Sequence, residues 1–304
     1  MVERKNWKRP ASSGEGEIFS QMWCGDKQRA VVQIAHGMAE HSERYDHFAS
    51  FLAGHGYVVC MNDHAGHGPH AEVKGHFADE DGWEHVVRDM KNLMDEVAGQ
   101  HAGLPVFLMG HSMGSFLSRS YITRYNGLDG CILSGTMGKN GALGLGKLFA
   151  SIIKATRGKK HTSPFLQKLS TGGFNKRIQD PISENAWLST VDEVVAAYDA
   201  DAHCGFAFTA GGYYDLFTGM QEVTAPQWAA NVPDDLPIYL FAGDEDPVGN
   251  YGEGPQMVYD ALKNTGQADV QIKLYPGKRH EMINESNRDE VYQDVLDWLE
   301  AHGR

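Results

Sequence analysis

Five short apolar runs, at 30–35, 57–61, 105–109, 130–133 and 237–242, constrain this 304-residue chain more than any other feature. Each is stopped by Gly, Asn, Asp or Ser, and helical stretches lie between them. Runs without polar alternation are what strands buried on both faces look like, and strands alternating with helices read as a mainly parallel sheet covered by helices on its faces. The expected class is therefore α/β. Between the second and third runs, Trp83, Val86, Val87, Met90, Leu93, Met94 and Val97 form one apolar stripe at helical spacing, which predicts a helix facing the core. Val291, Val295, Trp298 and Leu299 repeat the pattern and predict a last helix ending near Gly303.

The alternation fails between the fourth and fifth runs, where roughly a hundred residues intervene, far beyond an ordinary crossover. We read 136–233 as an inserted cap, leaving 1–135 and 234–304 as the main domain. The cap is expected over the C-terminal edge of the sheet, where open α/β sheets place their ligands. It opens on the Gly-rich stretch 138–146, continues through an apolar run at 148–153, and has helical character at 190–198.

Gly110-His111-Ser112-Met113-Gly114 follows directly on the third strand and opens a helical stretch at 115–121. A serine on so sharp a strand-to-helix turn is pushed out of the sheet on strained backbone angles, and flanking glycines are needed because side chains there would meet the strand or helix. Such a serine, as nucleophile, needs a histidine base and an orienting acid on later loops. The histidine is His280, which follows a strand predicted at 270–275; only His302 lies further along, at the end of the terminal helix. For the acid, Asp244, Glu245 and Asp246 all stand just past the fifth strand. Asp246 is favoured, and the other two read as a solvated acidic turn. An attacked carbonyl also needs N–H donors for its oxyanion. We expect these from Met113 and from Met38, in the loop His36-Gly37-Met38 after the first strand, with Gly37 giving the backbone room and His36 holding the loop.

These residues, together with His36 to Ser42, Asp63-His64-Ala65-Gly66-His67-Gly68, Gly243 to Val248 and His280 to Glu285, give the chain its resemblance to a known family. It resembles the α/β-hydrolase superfamily and, within it, the monoacylglycerol lipase and lysophospholipase-like branch, also called the serine aminopeptidase-like hydrolase domain, over about residues 17–301. The resemblance implies Ser112, Asp246 and His280 as the catalytic triad, Met38 and Met113 as the oxyanion hole, and Gly37, Gly110, His111 and Gly114 as support for the loop and turn. It also implies a cap contributing to an acyl pocket.

The expected reaction is hydrolysis of an acyl ester through an acyl-enzyme, on monoacylglycerols, lysophospholipids or similar esters, with no metal and no cofactor. A short-chain carboxylesterase, an amidase, peptidase or thioesterase, and an acyltransferase would use the same residues, and a catalytically silent binding protein shares the fold. Haloalkane dehalogenation is excluded, because it would need a carboxylate at position 112. His64, His67, His70 and His76 invite a metal reading, but they lack a helical His-Glu-x-x-His and are interrupted by Gly66, Gly68 and Pro69, so we read a turn braced by histidine hydrogen bonds.

With 27 Lys and Arg against 40 Asp and Glu, the net charge of −13 repels nucleic acid and leaves a small molecule as the expected partner. Yet the stretch 139–179 carries nine Lys and Arg and no acid, beside Leu143, Leu145, Leu148, Phe149, Ile152 and Ile153. Such a segment suits peripheral contact with anionic lipid. The absence of a long apolar run and the scattered Cys24, Cys60, Cys131 and Cys204 lead us to expect a cytoplasmic protein.

Overall fold

The computed structural model describes residues 1–303. In chain order the elements are β1 (Glu3–Pro10), β2 (Glu17–Cys24), β3 (Ala30–Ala35), α1 (Asp46–Gly54), β4 (Tyr57–Asn62), α2 (Gly82–Gln100), β5 (Val106–His111), α3 (Met113–Ile122), β6 (Gly130–Ser134), α4 (Leu143–Arg157), α5 (Pro164–Thr171), α6 (Asp192–Ala200), α7 (Ala210–Val223), β7 (Ile238–Gly243), α8 (Glu253–Asn264), β8 (Val270–Tyr275) and α9 (Arg288–His302). The strands make one sheet in the order β1-β2-β4-β3-β5-β6-β7-β8, antiparallel through β1, β2 and β4 and parallel from there on. This is the α/β-hydrolase fold. The expected strands are present within a residue or two of their predicted ends, and β8 coincides with 270–275.

β1 and β2 are the strands that the apolar runs did not announce, and β1 is the more extreme of the two. Its sequence Glu-Arg-Lys-Asn-Trp-Lys-Arg-Pro is exposed over most of its length and pairs only with β2. An edge strand is held by backbone hydrogen bonds on one side and is kept from further pairing by charge, so it carries almost no apolar signal.

Side chains bury on both faces of the sheet. On one face the stripe of α2, from Trp83 to Val97, packs with α3 against the apolar side of β3 to β6. On the other, α1 and α9 cover the alternate residues, with Trp298 of α9 edge-on to Phe107 of β5. Each fully buried side chain of this kind contributes roughly 1.5–3 kcal/mol.

The excursion from β6 to β7 carries α4 to α7. α7 lies against α2 and α3, so the last part of 136–233 rests on the main body as well as beneath α4. The approach is close enough that a Cβ at Gly219 would be driven into the Trp83 ring. α4 seats Leu143, Gly146 and Ala150 inward, where a Cβ at Gly146 would come within 3.1 Å of the Phe217 ring of α7.

Arg119 of α3 joins the two ends of this excursion. It is 1% exposed, donates to the Met137 carbonyl at 2.7 Å and to the Val223 carbonyl, and lies 4.1 Å over the Trp228 ring. Val223 closes α7, where unsatisfied carbonyls and the helix dipole both favour a cation. No carboxylate faces the guanidinium among the described residues, and burial lowers its pKa to about 9.

Candidate active site

Ser112 stands between β5 and α3 at φ 54° and ψ −120°, a conformation costing of order 1–3 kcal/mol that persists only where its surroundings enforce it. The surroundings here are explicit. The Ser112 N–H donates to the Ser134 carbonyl of β6 at 2.9 Å, and the Ser112 carbonyl accepts from the Ser115 N–H at 2.8 Å and its hydroxyl at 2.6 Å. A Cβ at Gly110 would meet the Gly114 carbonyl, and one at Gly114 would meet the Ala35 carbonyl of β3. Both glycines are therefore demanded by the packing of α3 on β3 and β5.

The Ser112 side chain opens into a cavity of about 200 Å³ that Met38, Met113 and His280 also line. His280, 1% exposed, follows β8 and sets its Nδ1 2.8 Å from Asp246 Oδ2. Its ring packs 4.6 Å from His111 and 5.0 Å from Trp187. Gly135, just past β6, makes room for it, since a Cβ there would come within 2.9 Å of the imidazole.

The three acids after β7 have distinct settings. Asp246 is fully buried and accepts from His280 and, through Oδ1, from the Val248 N–H at 2.9 Å. Asp244 accepts instead from the Gly277 N–H at 2.6 Å, and Glu245 is exposed. Burial disfavours the charged imidazole of His280, but the charge and hydrogen bond of Asp246, with Glu281 and Glu40 beyond, outweigh it and raise the pKa. His111, buried and facing His280, is lowered to about 4 and is neutral at pH 7.

The loop after β3 is built from histidines. The His64 N–H donates to His36 Nε2 at 3.0 Å, His36 Nδ1 donates to the Gly37 carbonyl at 2.8 Å, and the Ala39 N–H donates to His67 Nε2 at 3.2 Å. Burial first of all lowers His36 and His67 to about 3, so both act as neutral braces. The Gly37 N–H is taken by Glu40 Oε1 at 2.5 Å. Between two occupied amides, the Met38 N–H has no partner among the described residues. The Met113 N–H, first in α3, belongs to the unpartnered group that opens any helix.

Sequence reasoning missed one charged unit beside these loops. Arg44 donates to Glu40 at 2.6 Å and to both oxygens of Glu281, at 2.7 and 2.6 Å, while its guanidinium covers the Tyr198 ring of α6 at 4.8 Å. Burial alone would raise the Glu40 carboxyl, but Arg44, His111 and the hydrogen bonds from the Gly37 N–H and the Tyr45 hydroxyl hold it below the usual range. The unit ties the loop after β3 to the residue following His280. Glu40 and Arg44 stand four apart, a spacing visible in the sequence, but Glu281 is 237 positions from Arg44.

The sequence profile of the family described as serine aminopeptidase, S33, matches residues 26–287. The chain belongs to this family. Among its relatives is a monoacylglycerol lipase of Mycolicibacterium smegmatis, 31% identical over 298 residues that make up 96% of each chain. A carboxyl esterase of Bacillus coagulans is similar in structure, with a TM-score of 0.94, 31% identity and 99% of both chains covered. The monoglyceride lipase of Saccharomyces cerevisiae shares the fold at a TM-score of 0.78 and 18% identity, over 99% of this chain and 96% of that one. Members of the family are serine hydrolases of the lipase and esterase kind, and the fold and family expected from the sequence are both found.

Proposed function

We propose that the chain hydrolyses acyl esters through an acyl-enzyme on Ser112, with His280 as base, Asp246 as its orienting acid, and the Met38 and Met113 N–H groups as the oxyanion hole. The observation that carries this reading is the strained Ser112 opening into an apolar cavity beside the buried His280–Asp246 pair. Ser112 Oγ attacks the ester carbonyl as His280 Nε2 takes its proton, and the Nδ1–H held by Asp246 fixes the tautomer this requires. As the carbonyl oxygen gains charge it takes hydrogen bonds from these two amides, worth about 3–4 kcal/mol per donor in comparable sites. His280 then protonates the departing alcohol, and water repeats the sequence on the acyl-enzyme. No step draws on a metal or cofactor.

For substrate we propose monoacyl lipid esters, monoacylglycerols or lysophospholipids. Phe116, Met137, Leu143, Leu216, Phe217 and Met220 line the cavity and suit one alkyl chain. Of the aromatics in the excursion, Phe174, Trp187, Tyr198, Phe206, Tyr213 and Phe217 line the cavity, while Phe208 packs edge-on against Phe77 in the core. Each methylene buried is worth about 0.8 kcal/mol, close to fourfold in kcat/KM. A p-nitrophenyl ester series from acetate to palmitate should therefore rise about fourfold per methylene to a medium- or long-chain optimum, with 1-monoacylglycerol also turned over. An optimum at acetate would reduce the enzyme to a general esterase.

We further propose that the basic segment 139–179 meets anionic lipid. Leu145, Leu148 and Ile152 of α4 and Phe165 and Leu169 of α5 are exposed among its lysines and arginines. The net charge of −13 does not forbid this, because charges beyond about 8 Å are screened at physiological salt while the local patch is not. Co-sedimentation should favour anionic over neutral vesicles, and Arg157→Glu with Lys168→Glu should weaken it roughly fivefold per position. Equal binding to both vesicles would dispose of the contact. The four unpaired cysteines support a cytoplasmic setting. Among the described residues no helix is long and apolar enough to cross a membrane.

A further inference from the structure

His41 leaves the loop after β3 and meets the segment between α6 and α7. Its Nε2 lies 2.9 Å from Asp201 Oδ2, and one donor atom each from His41, Asp201 and Cys204 fall within 4.8 Å of one another. The His41 ring is nearly buried, yet its Nδ1 has no partner. His203, between the other two, stands edge-on to His41 with ring centroids 6.2 Å apart, and its buried Nδ1 is also without a partner. One imidazole, one carboxylate and one thiol, with a second imidazole beside them, is the donor set of a tetrahedral zinc site. Bonds of about 2.0–2.3 Å require ligand atoms about 3.5 Å apart, so closing His41, Asp201 and Cys204 from within 4.8 Å takes side-chain movements of about an ångström, and His203 must turn its ring toward them to join. Arg44, the nearby charge that would oppose a cation, is already bound by Glu40 and Glu281.

From this the geometry points to a zinc-type divalent-cation site formed by His41, Asp201 and Cys204, with His203 as fourth donor, stapling the cap to the loop after β3. The site is separate from Ser112, Asp246 and His280. On binding, the Cys204 thiol loses its proton to solvent and its sulfur bonds the ion, which keeps its oxidation state. The staple would act where the cap already touches this loop: Tyr198 Oη donates to the Ala39 carbonyl at 2.9 Å, and the Gly205 N–H donates to it at 3.0 Å. Ala39 is itself in the left-handed region at φ 53° and adjoins Met38. The ion would stiffen the backbone that presents the Met38 amide.

The test is titration of the purified chain with Co²⁺ as an optical probe, followed by displacement with Zn²⁺. One equivalent of Co²⁺ should produce the intense near-ultraviolet absorption of a cobalt thiolate, lost in Cys204→Ser and shifted at least tenfold in affinity in Asp201→Asn. His280→Ala should retain it, which separates this site from adventitious binding at the proposed triad. Metal-free thermal melts of the variants would verify folding. No thiolate band in the unaltered chain, or an equal band in Cys204→Ser, would overturn the site and leave His41–Asp201 as a plain hydrogen bond. Either result is independent of whether Ser112 carries the hydrolytic reaction.

Discussion

Replacing Ser112 with alanine is expected to lower ester turnover by at least about 10⁴-fold, because the nucleophile and its proton transfer are lost together and the residual rate comes only from binding and the oxyanion donors. The substitution should leave the fold intact. Alanine inherits the same strained φ of 54°, and the backbone bonds from Ser112 to Ser134 and Ser115 do not involve the hydroxyl. Glycine at the same position should abolish turnover as completely and raise stability by about 1 kcal/mol, since the strain falls away. Steady-state rates, thermal melts and mass labelling with a fluorophosphonate would separate these effects. Turnover within tenfold of the parent in Ser112→Ala would end the acyl-enzyme proposal, and labelling on another residue would relocate it.

Asp246→Asn should cost nearly as much, about 10⁴-fold in kcat, because an amide can donate to Nδ1 and thereby favour the tautomer that cannot accept the serine proton. The change also removes the leading group that raises the His280 pKa. Since the base must be neutral, activity falls as pH drops through that pKa, and in the variant this acid limb should move to lower pH. Asp244→Asn, whose carboxylate serves the Gly277 amide, should lose less than about tenfold, and Glu245→Gln on the exposed turn almost nothing. A pH-rate profile for each would settle the assignment. Equal losses at 244 and 246 would mean that the acid loop acts as a unit rather than through one carboxylate.

The strands β3 to β7 could be read because they are buried on both faces and leave no polar alternation, and α2 could be read because its stripe runs unbroken from Trp83 to Val97. β1 could not, since a charged edge strand is defined by its partner. The turn at 110–114 is visible as a local pattern, whereas the sequence supports Asp246 only as a preference among three adjacent acids. The choice depends on which carboxylate the chain turns inward after Gly243, where a Cβ would strike the Lys278 carbonyl. Contacts across long sequence separations escaped altogether. Arg44 to Glu281 and His41 to Asp201, 237 and 160 positions apart, exist only once the sheet and the excursion from β6 to β7 are assembled. α7 escaped for a related reason. Its glycines, weak formers in an isolated helix, are what allow it to lie against Trp83.

Arg119 gives the excursion from β6 to β7 a further property. Because the carbonyls of Met137 and Val223 are both secured to one buried guanidinium on α3, the two ends are brought together by the main domain. The sequence between them then behaves as a replaceable cassette. Doubling its length would add only about 0.6 kcal/mol of closure entropy, provided the clamp is kept. Lineages could exchange the part facing the cavity wholesale, and an engineer could graft one from another hydrolase, while the Ser112 turn a few residues before Arg119, at the start of the same helix, stays undisturbed.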